Sequence, residues 1–174
     1  MAGQVFLGLV SGLKKWITAI QTSAGVGDAG KIPALNSAGQ LDITLFPSGL
    51  ANTIIAVASE DLAAGDLVNL WDNAGTISLR KADASTASKR AHGMTLAAFL
   101  SGASATAYKD GAITGLSGLT AGAEYYLSTT PGGLALVAAV AGYTTSGNII
   151  QHIGVAESAT KLQLAIEDDP AQIA

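Results

Sequence analysis

Residues 116–166 read LSGLTAGAEYYLSTTPGGLALVAAVAGYTTSGNIIQHIGVAESATKLQLAI. Short apolar-alternating runs are separated here by Gly, Pro, Ser, Thr and Asn turns, the pattern of an all-β sandwich or barrel. A weaker copy lies upstream. Leu62-Ala-Ala-Gly65-Asp-Leu-Val-Asn-Leu70 aligns with Leu119-Thr-Ala-Gly122-Ala-Glu-Tyr-Tyr-Leu127, each a glycine turn leading into a strand. Gly75-Thr-Ile-Ser-Leu79 lies opposite Gly133-Leu-Ala-Leu136, and Ala91-His92-Gly93 opposite Gln151-His152-Ile153-Gly154. The two histidines stand 60 residues apart, so the sequence predicts two similar β modules. Two repeats are too few for a solenoid, which needs about three to bury its faces, and they are expected to share one core.

Working outward, strands are expected near Ile54–Ser59, Asp66–Trp71, Thr76–Lys81, His92–Phe99, Ala103–Lys109 and Ala112–Thr114. Further strands are expected near Glu124–Thr129, Leu134–Val140, Ile149–Glu157 and Lys161–Glu167. Asp72-Asn-Ala-Gly75 and Thr130-Pro-Gly-Gly133 read as hairpin turns, because Gly permits positive φ and Pro presets the first turn angle. Pro170 cannot donate to a ladder and ends the last strand. The expected organisation is an interaction arm over residues 1–50, a β domain over 51–168 and a flexible tail over 169–174.

The first 50 residues differ in character. Phe6, Val10, Leu13, Ile17 and Ile20 fall at three- and four-residue spacing, which would line one face of a helix. Gly8 and Gly12 interrupt that face at about 1 kcal/mol each relative to Ala. An extended arm that orders on a partner fits equally well. From Thr22 to Gly49 turn follows turn, with isolated apolar residues between them: Ile32, Leu35, Leu41, Ile43, Leu45 and Phe46. Leu41, Ile43 and Leu45 alternate with Asp42 and Thr44, so one short strand fits there. Such anchors need a surface supplied by something else. The expected interface residues are Phe6, Leu7, Val10, Leu13, Trp16, Ile17, Ile32, Leu35, Leu41, Leu45 and Phe46. Trp16 stands out, because tryptophan is enriched among interface anchors.

Composition narrows the function classes. The chain has 174 residues, 49% apolar but only 5% aromatic, with 21 Gly, so its core packs small side chains on closely approaching backbone. Net charge is −4, and the nine Lys and Arg are scattered apart from three adjacent pairs. A phosphate-binding surface needs clustered positive charge, so no nucleic-acid partner is expected. The absence of cysteine excludes disulfide scaffolds, thiolate metal sites and cysteine nucleophiles. The apolar run from Val5 to Val10 precedes Lys14 and Lys15, the reverse of a secretory signal, and falls short of the roughly 20 residues of a bilayer span. Synthesis in the cytoplasm, with no membrane partner, is the expectation.

Candidate chemistry is sparse. Gly25-Val-Gly27-Asp-Ala-Gly30 matches G-x-G-x-x-G, but Pro33 and Gly39 follow at once and no βαβ pattern does, so a plain turn is expected. His92 and His152 occupy matching places, yet zinc wants three or four ligands and no third lies nearby in sequence, so packed strand histidines are expected. No G-x-S-x-G elbow is present, and Glu60-Asp61 and Glu167-Asp168-Asp169 are contiguous rather than spaced for calcium or for a two-carboxylate hydrolase. Neither catalytic residues nor a cofactor, metal or small-molecule substrate is expected.

Several segments carry a family resemblance. DAGKIPALNSAGQLDITLFP (28–47) resembles a segment found in head fibres, head decoration proteins and tail fibres of tailed bacteriophages. Ala64-Gly-Asp-Leu-Val-Asn-Leu70, Lys81-Ala-Asp-Ala84, Ala91-His-Gly93, Tyr126-Leu-Ser-Thr-Thr-Pro-Gly-Gly133 and Ile153-Gly-Val-Ala-Glu-Ser-Ala-Thr160 resemble the β domain of phage capsid cement and decoration proteins. Together these cover most of residues 22–166. The resemblance implies a non-enzymatic virion protein, a homotrimer, that binds the outside of the head and fastens neighbouring capsomers through the major capsid protein. The alternative is a receptor-binding or adaptor module of a tail fibre, against which stands the lack of shaft repeats and of an aromatic-rich tip. The chain departs from the family in its unusually apolar first 20 residues.

Overall fold

In the computed structural model the helical alternative for the N-terminal segment is not formed: Val5–Val10 and Leu13–Thr18 are extended and pair as a β-hairpin. The structure describes residues 5–10, 12–37, 39–42, 45–46 and 52–174, without the side chains of Val5, Phe6, Leu9, Val10 and Lys15. The chain divides into two compact units, Met1–Ala51 and Asn52–Ala174.

In the first unit, β1 (Val5–Val10) pairs antiparallel with β2 (Leu13–Thr18), from Val5↔Thr18 to Val10↔Leu13. Gly12, between the strands, takes φ 79°, which costs a glycine little because it has no Cβ. The helical spacing misleads for a geometric reason. Phe6 faces Ile17 and Val10 faces Leu13, and residues placed symmetrically about this turn also fall three and four apart. Gly8, expected as a helix weakness, makes room for a neighbour: a Cβ there would collide with Ile17 Cδ1. Beyond the hairpin, Ile20 N–H donates to Ile32 O at 2.9 Å and Ala34 N–H to Ile20 O at 2.8 Å. The loop they close holds a 3-10 turn, Val26–Asp28, whose Asp28 carboxylate accepts from Ala24 N–H at 2.6 Å and pairs with Lys31 at 2.5 Å.

The second unit is mainly β. Five strands, β3 (Thr53–Ala58), β4 (Leu67–Asn73), β5 (Thr76–Lys81), β6 (Gly93–Thr95) and β7 (Ser104–Tyr108), close a barrel in the order β3-β5-β4-β6-β7. There follow β8 (Asp110–Thr114), β9 (Glu124–Leu127), β10 (Leu134–Leu136), one helical turn α1 (Val137–Val140), β11 (Ile149–Ile150), β12 (His152–Ser158), β13 (Lys161–Ala165) and β14 (Ala171–Gln172). Five of these form an antiparallel sheet ordered β10-β9-β12-β13-β8, while β11 pairs with β14.

The two sheets share one strand order: β5-β4-β6-β7-β3 in the barrel matches β10-β9-β12-β13-β8. Registers agree too. Leu70↔Leu79 corresponds to Leu127↔Leu134, Met94↔Tyr108 to Val155↔Gln163, and Ile54↔Ala107 to Ile113↔Leu162. Gly93 and Gly154 therefore stand at equivalent places, and each presses on the same backbone group. A Cβ on Gly93 would lie 3.1 Å from Tyr108 O, and one on Gly154 would collide with Gln163 O. The sequence alignment slips in one place, since Leu79 matches Leu134 rather than Leu136. The cause is loop length: the β4–β5 turn has two residues and the β9–β10 loop has six.

Two cores form. Leu62, Val68, Leu79, Ala105 and Ala107 fill the barrel, while Leu67, Ala91 and Met94 join Tyr125, Leu127, Ile153, Leu162 and Leu164 in a core shared by both sheets. Gln151 is wholly buried beside this second core. Its Oε1 accepts from Ala91 N–H at 2.7 Å, and its Nε2 donates to Ala91 O at 2.9 Å and Glu167 O at 2.7 Å.

Several expectations require correction. The single core expected for the two modules is two, of which only one is shared by both sheets, and the strand expected over His92–Phe99 is only Gly93–Thr95. The strand expected over Leu134–Val140 ends at Leu136 and continues as α1. The tail expected to be flexible over 169–174 is hydrogen-bonded: β14 pairs with β11, Gly147 N–H donates to Ile173 O at 3.0 Å, and Ile173 N–H donates to Asn148 O at 2.8 Å. Pro170 lacks a donor only at its own position, so the ladder resumes at Ala171. The β4–β5 turn carries a mild strain, because Ala74 sits at φ 52° ahead of Gly75 at 87°. Such turns favour Asn-Gly. Ala74→Asn is expected to raise stability by about 0.5 kcal/mol, read as a higher urea midpoint at unchanged slope. A lower midpoint would show that the turn is not strained.

Candidate interaction surface

The β1–β2 hairpin exposes large apolar side chains. Leu7 and Trp16 lie directly opposite one another and are 57% and 71% exposed, and Leu13, beside the turn, is 64% exposed. A two-stranded ribbon buries little of itself, and three or more strands, or a packed partner, are needed for independent stability. Ile17 is half-buried; Phe6 and Val10 stand in β1, their side chains outside the described residues. Of the remaining expected interface residues, Leu35, Leu41 and Phe46 are exposed, and Ile32 and Leu45 are half-buried. The hairpin thus sets Leu7 and Trp16 side by side on one face and places Leu13 and Ile17 on the opposite face, while Ile32, Leu35, Leu41, Leu45 and Phe46 lie along the following loops.

A second apolar patch, on the barrel, is absent from the sequence reading. Ile55 and Val57 of β3 are exposed, and Trp71 of β4 is half-buried with Arg80 stacked on its ring at 4.5 Å. Trp71 Nε1–H donates to Ser59 Oγ at 3.3 Å, which ties the indole to the residue that follows β3. Because β3 carries apolar residues on both faces, alternation could not say which face looked outward.

The histidines are brought to equivalent positions, each against the neighbouring strand. His152 meets Tyr126 edge-on, with ring centroids 5.5 Å apart. His92 faces Asn69, which stands where Tyr126 does in the other sheet. Leu70 N–H donates to His92 Nδ1 at 3.0 Å, with Asn69 Nδ2 at 3.3 Å, and Arg90 Nε approaches Nε2 at 3.2 Å. With Nδ1 accepting from Leu70 N–H, the neutral ring carries its proton on Nε2 and cannot take a second without losing that bond. Burial above all, helped by the charges of Arg90 and Lys109 and opposed by Asp168, holds His92 below the ordinary imidazole value of 6.5.

The sign of the consequence is definite. On acidification the unfolded chain takes up this proton first, so stability is full above about pH 6.5 and is lost as pH falls through the lowered folded value. Urea midpoints should therefore decline below about pH 6.5, and His92→Gln should flatten that decline. An unchanged pH profile in the variant would remove His92 as the cause.

Among the described residues no three His, Asp or Glu side chains cluster as a metal site. The glycine run at 25–30 holds the 3-10 turn Val26–Asp28, and Glu60 accepts from Lys81 N–H at 2.9 Å. No protein-family model and no curated protein matches the chain.

Proposed function

We propose that this chain is a structural virion protein which binds the outer surface of a tailed-phage head, decorating or fastening capsomers, with the major capsid protein as its partner. On this reading the second unit is one β module used twice, and the first unit carries the anchor. The observation that supports it best is the hairpin, where the cross-strand partners Leu7 and Trp16 stand side by side in water. Exposed contiguous apolar surface marks an interaction site in soluble proteins, and the resemblance over residues 22–166 names the kind of surface that would cover it.

Copy number per virion, measured by quantitative mass spectrometry against the major capsid protein, tests the reading. A number commensurate with the capsid lattice is expected; a handful of copies would move the protein to the tail and favour receptor binding. The anchor has its own test. Trp16→Ala with Leu7→Ala should weaken binding to heads lacking the protein by about 30-fold, the effect of losing about 2 kcal/mol at an aromatic anchor. Full affinity in that variant would exclude the hairpin as the anchor.

A further inference from the structure

The internal repeat gives His92 its own standard of comparison. In the second sheet His152 meets Tyr126 edge-on, and Ile150 stands two residues ahead of it in the chain. In the barrel the same two places belong to Asn69 and Arg90. One histidine is set among aromatic and aliphatic neighbours, the other among donors.

Those donors reach both ring nitrogens of His92. Leu70 N–H donates to Nδ1 at 3.0 Å, which leaves the proton of the neutral ring on Nε2. Arg90 Nε–H points at that same Nε2 from 3.2 Å. Two N–H groups therefore face one another, a repulsive contact that turns favourable once a single acceptor group takes both hydrogens. Beside them lies a cavity of about 320 Å³, lined by His92 and Lys109 together with Asn52, Asp110, Ile166 and Asp168. Among the described residues neither Arg90 nor Lys109 forms an ion pair, with Asp168 or with any other carboxylate. The chain at Asp168 is held by its neighbour, since Glu167 N–H donates to His152 O at 3.0 Å and Glu167 O accepts from Gln151 Nε2 at 2.7 Å. Asp110 is engaged with Asn52 Nδ2 at 2.5 Å.

The two aspartates limit the charge of a guest. Next to them one negative charge is tolerated better than the two of a phosphate. A carboxylate also presents two oxygens to two adjacent N–H groups, the bidentate geometry in which charge-assisted hydrogen bonds are strongest.

We propose that this cavity binds a single carboxylate group, which accepts from Arg90 Nε–H and His92 Nε2–H and takes Lys109 as its counter-charge. A small organic acid and an Asp or Glu side chain of a partner protein offer the same chemistry. The site is separate from the hairpin and does not depend on which particle the protein binds.

The chain has two histidines, so NMR of the imidazole nitrogens in the full-length protein follows each by itself. Acetate, at neutral pH and constant ionic strength, is expected to shift His92 Nε2 saturably and to leave His152 unmoved. Arg90→Gln should weaken that binding at least about 10-fold and Lys109→Gln about 3-fold, whereas Asp168→Asn should tighten it. All three side chains are exposed, and the amide spectrum checks that each variant is folded. Glutamate capped at both its α-groups identifies the source: tighter binding than acetate points to a protein side chain, equal binding to a small acid. A shift that does not saturate, one that chloride reproduces, or one shared by His152 would overturn the proposal. So would Arg90→Gln binding as wild type does. If acetate leaves wild type unchanged while Asp168→Asn alone moves His92 Nε2, the acceptor is Asp168 itself and the proposal fails.

Discussion

Replacing Gln151 with Leu is expected to destabilise the second unit by about 3–5 kcal/mol, a large part of the roughly 5–15 kcal/mol that holds a typical domain together. The shape of the side chain is nearly kept, but three backbone groups lose their partner at once: Ala91 N–H, Ala91 O and Glu167 O. The two Ala91 groups are left without a hydrogen bond in a buried site, at about 1–3 kcal/mol each, while Glu167 O, only partly buried, loses less. Gln151→Glu is the informative companion. Its carboxylate can still accept from Ala91 N–H but would face two carbonyl oxygens, so it should be destabilising at neutral pH and partly relieved by acid. Urea unfolding reads both. A Gln151→Leu midpoint equivalent to less than about 1 kcal/mol of loss would mean that the two sheets are held together by their apolar core alone.

Gly154→Ala is expected to cost about 3 kcal/mol, and Gly93→Ala about 1–2 kcal/mol, although both glycines occupy the same place in their sheets. The difference is one of distance. A methyl group on Gly154 runs into the Gln163 carbonyl oxygen and comes within 3.2 Å of Leu164 Cα, all of it backbone, so β13 must move bodily away from β12. On Gly93 the nearest atom is the Ala107 Cβ at 3.0 Å, followed by Tyr108 O at 3.1 Å, and a shift of a few tenths of an ångström suffices. Thermal unfolding of the two variants should rank them in that order. The reverse ranking would show that the register shift between His152 and Gly154 lets β12 yield where β6 cannot.

Most strands of the second unit were legible in the sequence because their apolar alternation is bounded by Gly at turns of positive φ, as at Gly65, Gly122 and Gly132. The internal repeat was legible for the same reason, apart from a two-residue slip where loop lengths differ. The hairpin was not, because residues symmetric about its turn imitate a helical stripe. Gln151 gave no signal: a lone amide between Ile150 and His152 looks like a strand's outward face, and only the break between β11 and β12 turns it inward. The exposed apolar residues Leu7, Leu13 and Trp16 were legible by their type, whereas Ile55 and Val57 were not, since β3 is apolar on both faces.

The separation of the two cores sets an order of events at the ribosome. Every residue of the barrel core lies between Ile54 and Ala107, so that core can consolidate while the remainder of the chain is still being made. The other core waits for Leu162 and Leu164, and the β11–β14 ladder waits for residues at the very end. Since domains fold as they emerge, N-terminal part first, a nascent chain halted after β7 would carry a finished barrel whose Leu67, Ala91 and Met94 still lack their later partners. Those three side chains are the surface on which the second half of the protein assembles after release.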